Sequence, residues 1–402
     1  MAVTDKDAGA IVARAGGGFG PSTRLALFYG ALFTVIGVQL PFWPAWLASR
    51  DLTPTQIGLI IAAGTVARAV LGPWLARTGT ARIGVANLVL VLAAAGGTIL
   101  LLNIAARGFW PLLVIGTVFT TLFFTTLPLA EHLAMRSVSR HGGGYGRVRL
   151  WGSVTFILAV ALTGEAVEAF PVDVILWLAI GGAVLTIAAA WALPQGRDDH
   201  AAGAGGAVGF TWFLSNRPFL LFLFAAGLIG ASHAALYAFA TLHWLAAGLA
   251  PATIAWLWAA GVLAEILVFA VSRHLVATVG AAPLLAVAGM VAMLRWVVLA
   301  LTVSPALLML AQVAHALTFG AAHLAAVHYI AERAPPALAP TAQTVYAAAV
   351  LGPAIGLATA ASGPLFEHAG AIVFWPMAAL AAIGATAAVL LARQPGLRGE
   401  QA

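Results

Sequence analysis

The sequence predicts an all-α polytopic membrane protein of twelve transmembrane helices in two pseudo-symmetric six-helix halves. Three observations carry that prediction. The 402 residues are 62% hydrophobic and only 8% charged, with a mean hydropathy of +1.01, a composition that cannot present a mostly polar surface to water. The apolar residues fall into runs long enough to cross a hydrocarbon core, which takes about 20 helical residues. The two halves of the chain also align with each other at a fixed offset.

Pro, Gly or charge bounds each run. The first three spans are expected at 23–48, 54–77 and 83–105, the last enclosed by Arg82 and Arg107. The next three are expected at 109–137, 147–169 and 171–193, with Pro171 and Pro194 framing the sixth. In the second half the expected spans are 217–246, 251–274 and 281–303, followed by 305–333, 340–366 and 369–392. Residues 1–22 hold Lys6, Arg14 and Gly16–Gly18 without an apolar run, so they read as a cytoplasmic tail and not a signal peptide. Residues 194–216, "PQGRDDHAAGAGGAVGFTWFLSN", are the longest polar, Gly-rich connection and read as a cytoplasmic linker between the bundles 23–193 and 217–392. Residues 393–402 form a second cytoplasmic tail.

An even number of spans with both termini inside places fifteen of the 19 basic residues on the cytoplasmic side, against only Arg50 and Arg107 outside. The positive-inside rule therefore sets the orientation. Arg68 and Arg295 remain, each near the middle of a span. Sliding the chain by 197 residues lays "LTPTQIGLIIAAGTVAR" (52–68) over "LAPATIAWLWAAGVLAE" (249–265). Both open a span with Leu-x-Pro and share Ala-Ala-Gly at one distance, as a duplicated unit would. Arg68 and Glu265 thereby occupy equivalent positions with opposite charge. Two six-helix halves related about the membrane normal are the architecture of alternating access to a central site.

Polar residues at mid-depth are the first candidates for that site. At about 1.5 Å per residue, Glu265 lies about 21 Å from the outer end of span eight. A carboxylate there is expensive, and Gln would serve if a hydrogen bond were all that was needed. Burial disfavours the charged form and a nearby Arg favours it, so such a group can gain and lose a proton as its cavity changes face. His233 in span seven and His315 and His323 in span ten join the inventory. The last two lie about 80° apart on their helix, so one cavity can receive both, yet they lack the i,i+4 spacing of helical zinc ligands. A single His on an apolar helix is also commonly a satisfied core residue. Tyr29, Phe33 and Tyr237 offer aromatic faces, and Gln39 is a lone polar side chain in span one.

Other classes of function are disfavoured. The chain has no cysteine, hence no disulfide, thiolate metal site or cysteine nucleophile. Its net charge of +6 is scattered singly, without the basic patch of a nucleic-acid binder. No P-loop, H-E-x-x-H or G-x-S-x-G is present, so neither ATP hydrolysis nor an intramembrane enzyme is indicated. A channel would be expected to show a filter or a ring-forming assembly, whereas the two-half repeat indicates a carrier, read as a monomer. No cofactor or metal is expected, only the proton as coupling ion.

The stretches "GVQLPFWPAWLASRDLTPTQIGL" (37–59), "YGRVRLWGS" (145–153), "SHAALYAFATLHWLAAGLAPATIAWLWAAGVLAEI" (232–266) and "LRWVVLALTVSPALLMLAQVAHALTFGAAHLAAVHYIAER" (294–333) together resemble the 3-phenylpropionic acid transporter family of the major facilitator superfamily. The resemblance runs from span one to span twelve. It implies the major facilitator fold, a bacterial inner (plasma) membrane location and proton symport of an aromatic or other small organic acid; sugar or nucleoside symport and efflux are alternatives within the superfamily. The chain is more distantly similar to lactose permease. That likeness implies sugar-site counterparts in Glu131 and Arg149, and matches Glu265, Arg295 and His315 to the permease's helix-eight Glu, helix-nine Arg and helix-ten His. Three residues after that His the permease has its proton-bearing Glu, where this chain has Thr318; Glu265 or a His such as His323 would then carry the proton. The loop "GPWLARTGTAR" keeps the superfamily's Gly72, Arg77 and Gly79 but has Ala76 in place of its Asp.

The expected assignments are therefore Glu265, His315, His323 and Arg295 for proton coupling. Arg68, Glu131, Arg149, Gln39, Tyr29, Phe33, His233 and Tyr237 are expected to bind substrate. The charges of Arg68, Glu131, Glu265 and Arg295 sum to zero, so a bound carboxylate would leave the site negative in a low dielectric unless a proton came with it.

Overall fold

A computed structural model describes residues 19–141, 144–194 and 210–394. Most of the two expected tails and of the linker lie outside the described residues. No strand occurs among the described residues. Among the described residues eleven segments are long and apolar enough to cross a membrane, and the last, Thr341–Ala392, runs 52 residues. At about 1.5 Å per residue that is more than twice the thickness of a hydrocarbon core. Gly370, with φ +55, breaks it into two spans, which makes twelve.

The spans are α1 (Pro21–Ala48), α2 (Pro54–Ile83), α3 (Val85–Ile104), α4 (Phe109–Ser139), α5 (Tyr145–Ala169) and α6 (Val174–Trp191), then α7 (Arg217–Ala246), α8 (Pro251–Ala270), α9 (Ala281–Leu301), α10 (Pro305–Arg333), α11 (339–369) and α12 (Phe374–Ala392). Pro at the first turn begins α1, α2, α8 and α10, where its missing N–H is no loss. Thr53 caps α2 in a reciprocal box with Gln56. Positive-φ glycines, Gly84 and Gly280, separate α2 from α3 and the short helix Ser272–Val279 from α9. α2 continues to Ile83, past the expected end at Arg77, and Phe210–Ser215 of the expected linker is helical.

Several spans are interrupted mid-membrane. α7 breaks at Ser232–His233, and α10 and α11 contain π-helical segments at Ala316–Gly320 and Ala347–Ala354. Such segments are seldom found away from functional positions in helices. Outward faces carry large apolar side chains, including Leu27, Leu162, Leu267 and Leu301, the reverse of a water-soluble surface.

The halves meet through α1 with the second part of α7, α2 with α11, and α5 with α8. Glycines permit close approach: a Cβ on Gly363 would stand 2.9 Å from Thr55 Cα, and one on Gly164 2.6 Å from Ala255 Cβ. On the side of the membrane opposite the termini, two hydrogen bonds cross between the halves. The amide of Thr55, opening α2, donates to Glu367 Oε2 of α11 (3.0 Å), and the amide of Ala252, opening α8, donates to Glu168 Oε1 of α5 (2.8 Å). Each caps a helix start that the internal repeat made equivalent. On the side of the termini, the segments Thr126–His141 and Ala321–Arg333 pack chiefly within their own halves.

Candidate functional site

A cavity of about 420 Å³ lies between the halves, lined by Phe33, Arg68, Arg149, Tyr237, Glu265 and His315, with Trp258, Gln312 and Thr359 completing its walls. It adjoins a second chamber of about 270 Å³ in the N-terminal half, where Gln39, Trp43, Phe119 and Phe124 are exposed to the space. Arg68, Tyr237, Ile36, Leu40, Ile61 and Thr65 line both chambers, so the two adjoin as one space with Arg68 at the junction.

Arg68 has no hydrogen-bond or ion-pair partner among the described residues, and Gln39, 8% exposed, has a buried Nε2 without an acceptor. Both are donors awaiting an acceptor. Glu265 accepts no hydrogen bond among the described residues, and its Oε1 is buried and unpartnered. Arg149 and Arg295 are the cations whose fields reach it. Gly320, at the end of the π segment of α10, leaves room for this side chain: a Cβ there would stand 3.1 Å from Glu265 Cγ.

Behind the cavity wall sits a fully engaged polar cluster. Arg295, 2% exposed, donates from Nε to the Ala311 carbonyl (2.6 Å), from Nη2 to Gln312 Oε1 (2.5 Å) and from Nη1 to His315 Nδ1 (3.1 Å) and Thr318 Oγ1 (3.4 Å). Its carbon Cζ lies 4.7 Å from the Trp296 ring centre. Gln312 Nε2 in turn donates to the Leu257 carbonyl (3.2 Å). A guanidinium can only donate, so His315 Nδ1 accepts and the neutral ring carries its proton on Nε2. A carbonyl can only accept, so His233 Nδ1 donates to the Ile229 carbonyl (3.0 Å); its Nε2 lies 3.1 Å from Thr318 Oγ1, whose one hydroxyl proton also has the His315 carbonyl within reach at 3.1 Å. Thr318, where the permease has its Glu, is the shared partner of Arg295 and His233.

Arg149 crosses from α5. Its guanidinium lies 4.1 Å from the Phe33 ring centre and 5.9 Å from that of Tyr29, a cation–π arrangement, and Glu131, Tyr145 and Tyr29 lie within its field.

Of the expected site residues, the two chambers bring together Arg68, Gln39, Phe33, Arg149, Tyr237, Glu265 and His315. Arg295 stands behind them. Tyr29 and Glu131 are not on the cavity wall; they belong to the cluster around Arg149. His233 and His323 line instead a small void of about 20 Å³ with Thr318 and Tyr346. Trp258, Gln312, Thr318 and Thr359 were not among the expected site residues; spacing from Glu265 and His315 along α8 and α10 is the one signal that points to the first three. Arg149 on the cavity wall also changes the expected charge balance, because counting it leaves the cluster one charge positive.

A family model described as MFS_1 like family matches residues 22–377. The chain belongs to that family. It is 34% identical over 377 residues, 90% of this chain and 95% of the relative, to the "Probable 3-phenylpropionic acid transporter" of Escherichia coli (strain K12). It is 30% identical over 397 residues to the maltose permease of Geobacillus stearothermophilus, covering 94% and 96% of the two chains. Among solved structures, the nucleoside transporter NupG superposes with a TM-score of 0.81 at 15% identity, covering 94% of this chain and all of that one. A bacterial homologue of the human lysosomal transporter Spinster, inward-facing and occupied, gives 0.67 at 15% identity, covering 94% and 98%. The fold is that of the major facilitator superfamily, and the protein is a multi-pass membrane transporter of a small molecule, not an enzyme.

Proposed function

We propose that the protein imports a small aromatic acid together with a proton, by alternating access, across a bacterial plasma membrane with both termini cytoplasmic. The observation that carries this reading is the joined cavity, with two unengaged donors on its wall, the Gln39 amide in one chamber and Arg68 at the junction, and a carboxylate with a bare oxygen, Glu265, in the other chamber. A substrate carboxylate satisfies both donors, and a planar guanidinium suits it in two-pronged fashion. Phe33, Tyr237 and Trp258 supply faces for a ring. The relative named for 3-phenylpropionic acid supports this substrate class.

Coupling rests on Glu265 in this reading. An ionised carboxylate with an oxygen lacking any donor is costly in a low dielectric, and a proton is the smallest group that removes the cost. His315 Nδ1 is occupied by Arg295, and His323 lies off the cavity, which leaves Glu265 as the proton site. Arg295 fixes His315 and Gln312 on the wall and supplies a fixed positive field. With the cluster one charge positive, the anion alone restores neutrality; the proton then neutralises Glu265 itself and allows the halves to rock. The cross-half caps at Glu168 and Glu367 tie the halves together on the side away from the termini, as an inward-facing arrangement requires.

The test is uptake into proteoliposomes of a panel of aromatic acids, sugars and nucleosides with and without an inward proton gradient. Gradient-dependent accumulation of an aromatic acid is expected. Equal accumulation under both conditions overturns coupling, and accumulation of sugars or nucleosides alone overturns the substrate class.

A further inference from the structure

A cavity larger than the central one lies outside the transport path. A groove of about 1080 Å³ opens on the outer flank of the N-terminal half, between α1, α5 and α6 on the side of the termini. Ala26, Gly30 and Ala31 of α1 and Ala188 and Ala189 of α6 line it with small side chains, and Leu27, Trp151 and Leu185, each about half exposed, flank it. Exposed apolar residues within spans face acyl chains, so the groove opens to lipid. Its one charged residue, Arg147 of α5, lines it together with the hydroxyl residues Ser22 and Thr23 near the start of α1. No acidic residue lines the groove, and Arg147 has no ion-pair partner among the described residues.

We propose that this groove binds one anionic phospholipid of the leaflet on the side of the termini, its phosphate on Arg147 and one acyl chain along the alanine-lined floor. The charge complementarity is direct, because the cytoplasmic leaflet carries the anionic lipids and a basic residue near it attracts them. The site also reaches the transport machinery. Arg147 and Arg149 are two residues apart, about 200° around α5, so one cation faces the groove while the other faces the substrate cavity. The floor of the groove is the contact of α1 with α5, where a Cβ on Gly30 would stand 3.3 Å from Thr155 Cγ2, next to Tyr29. A lipid wedged there braces the two helices that hold Phe33 and Arg149.

The test places the photo-crosslinking residue p-benzoylphenylalanine at Trp151 in the full chain, reconstituted in mixed phosphatidylcholine and phosphatidylglycerol vesicles, and weighs the adducts by intact mass. Phosphatidylglycerol adducts are expected to exceed that lipid's share of the vesicle by about fivefold, the attraction of one basic residue. Arg147→Gln should return them to that share while Arg147→Lys keeps most of the excess. Adducts that follow the vesicle composition in the parent, or an excess that Arg147→Gln leaves unchanged, overturn the proposal. So does a cross-link to residues 1–18 or 195–209 of the chain itself, which border the groove in sequence.

Discussion

Arg295→Met should be the most destabilising single change in the C-terminal half. The substitution keeps much of the aliphatic volume over Trp296 but removes every donor of the guanidinium. The Ala311 carbonyl, Gln312 Oε1 and His315 Nδ1 are then left as buried acceptors without that partner. Each such orphan costs about 1–3 kcal/mol; with partial relief by side-chain turning, the net loss is about 4 kcal/mol, within the range for breaking a buried charged network. At about 2–4 °C per kcal/mol, the melting midpoint in detergent should fall by roughly 10 °C. Tryptophan fluorescence, summed over the chain's 13 tryptophans, follows the melt. Arg295→Lys should recover about half of the loss, because one ammonium cannot span acceptors spread over a turn of α10. A melt of Arg295→Met within about 2 °C of the parent would refute the reasoning, and full rescue by Lys would show that charge alone matters there.

Other consequences follow from the same geometry. Gln39→Leu removes a buried unsatisfied amide, so the protein should melt no lower than the parent while KM for substrate rises; a lower melt with unchanged KM would deny Gln39 its role. Arg68→Lys keeps the cation but loses the fork, and should raise KM about tenfold, the scale of a charge-assisted bond, with maximal rate retained. Glu168→Ala combined with Glu367→Ala removes both caps across the halves and should lengthen the distance between spin labels on cysteines placed at the exposed positions Ala105 and Ala247. The chain's lack of native cysteine makes the labelling clean, and an unchanged distance distribution would show that the caps do not hold that side shut. Gly320→Ala sets a methyl group against Glu265 and should reduce gradient-driven accumulation more than exchange.

Hydropathy and punctuation made the spans legible, because a bilayer demands apolar runs of a fixed length and Pro or Gly marks their ends. The repeat at 52–68 and 249–265 likewise pointed to Arg68 and Glu265, and both line the central cavity. What the sequence left hidden are pairings. Nothing in a linear pattern says that Thr318 answers both His233 and Arg295, or that Glu168 and Glu367 cap helices of the opposite half. The π segment at Ala316–Gly320 is equally invisible, whereas that at Ala347–Ala354 holds Pro353, a local break that a linear reading can see. Glu131, Tyr29 and His323 fell away from the cavity wall for the same reason: depth in the membrane can be counted, but the direction a side chain faces depends on neighbours far along the chain.

The account turns on Glu265 as the carrier of the coupled proton. Reconstituted Glu265→Gln, loaded with substrate, should still exchange labelled for unlabelled aromatic acid while failing to concentrate it when an inward proton gradient is imposed. Accumulation at the parent's level would contradict the account, because a side chain unable to ionise would then be driving proton-linked uptake.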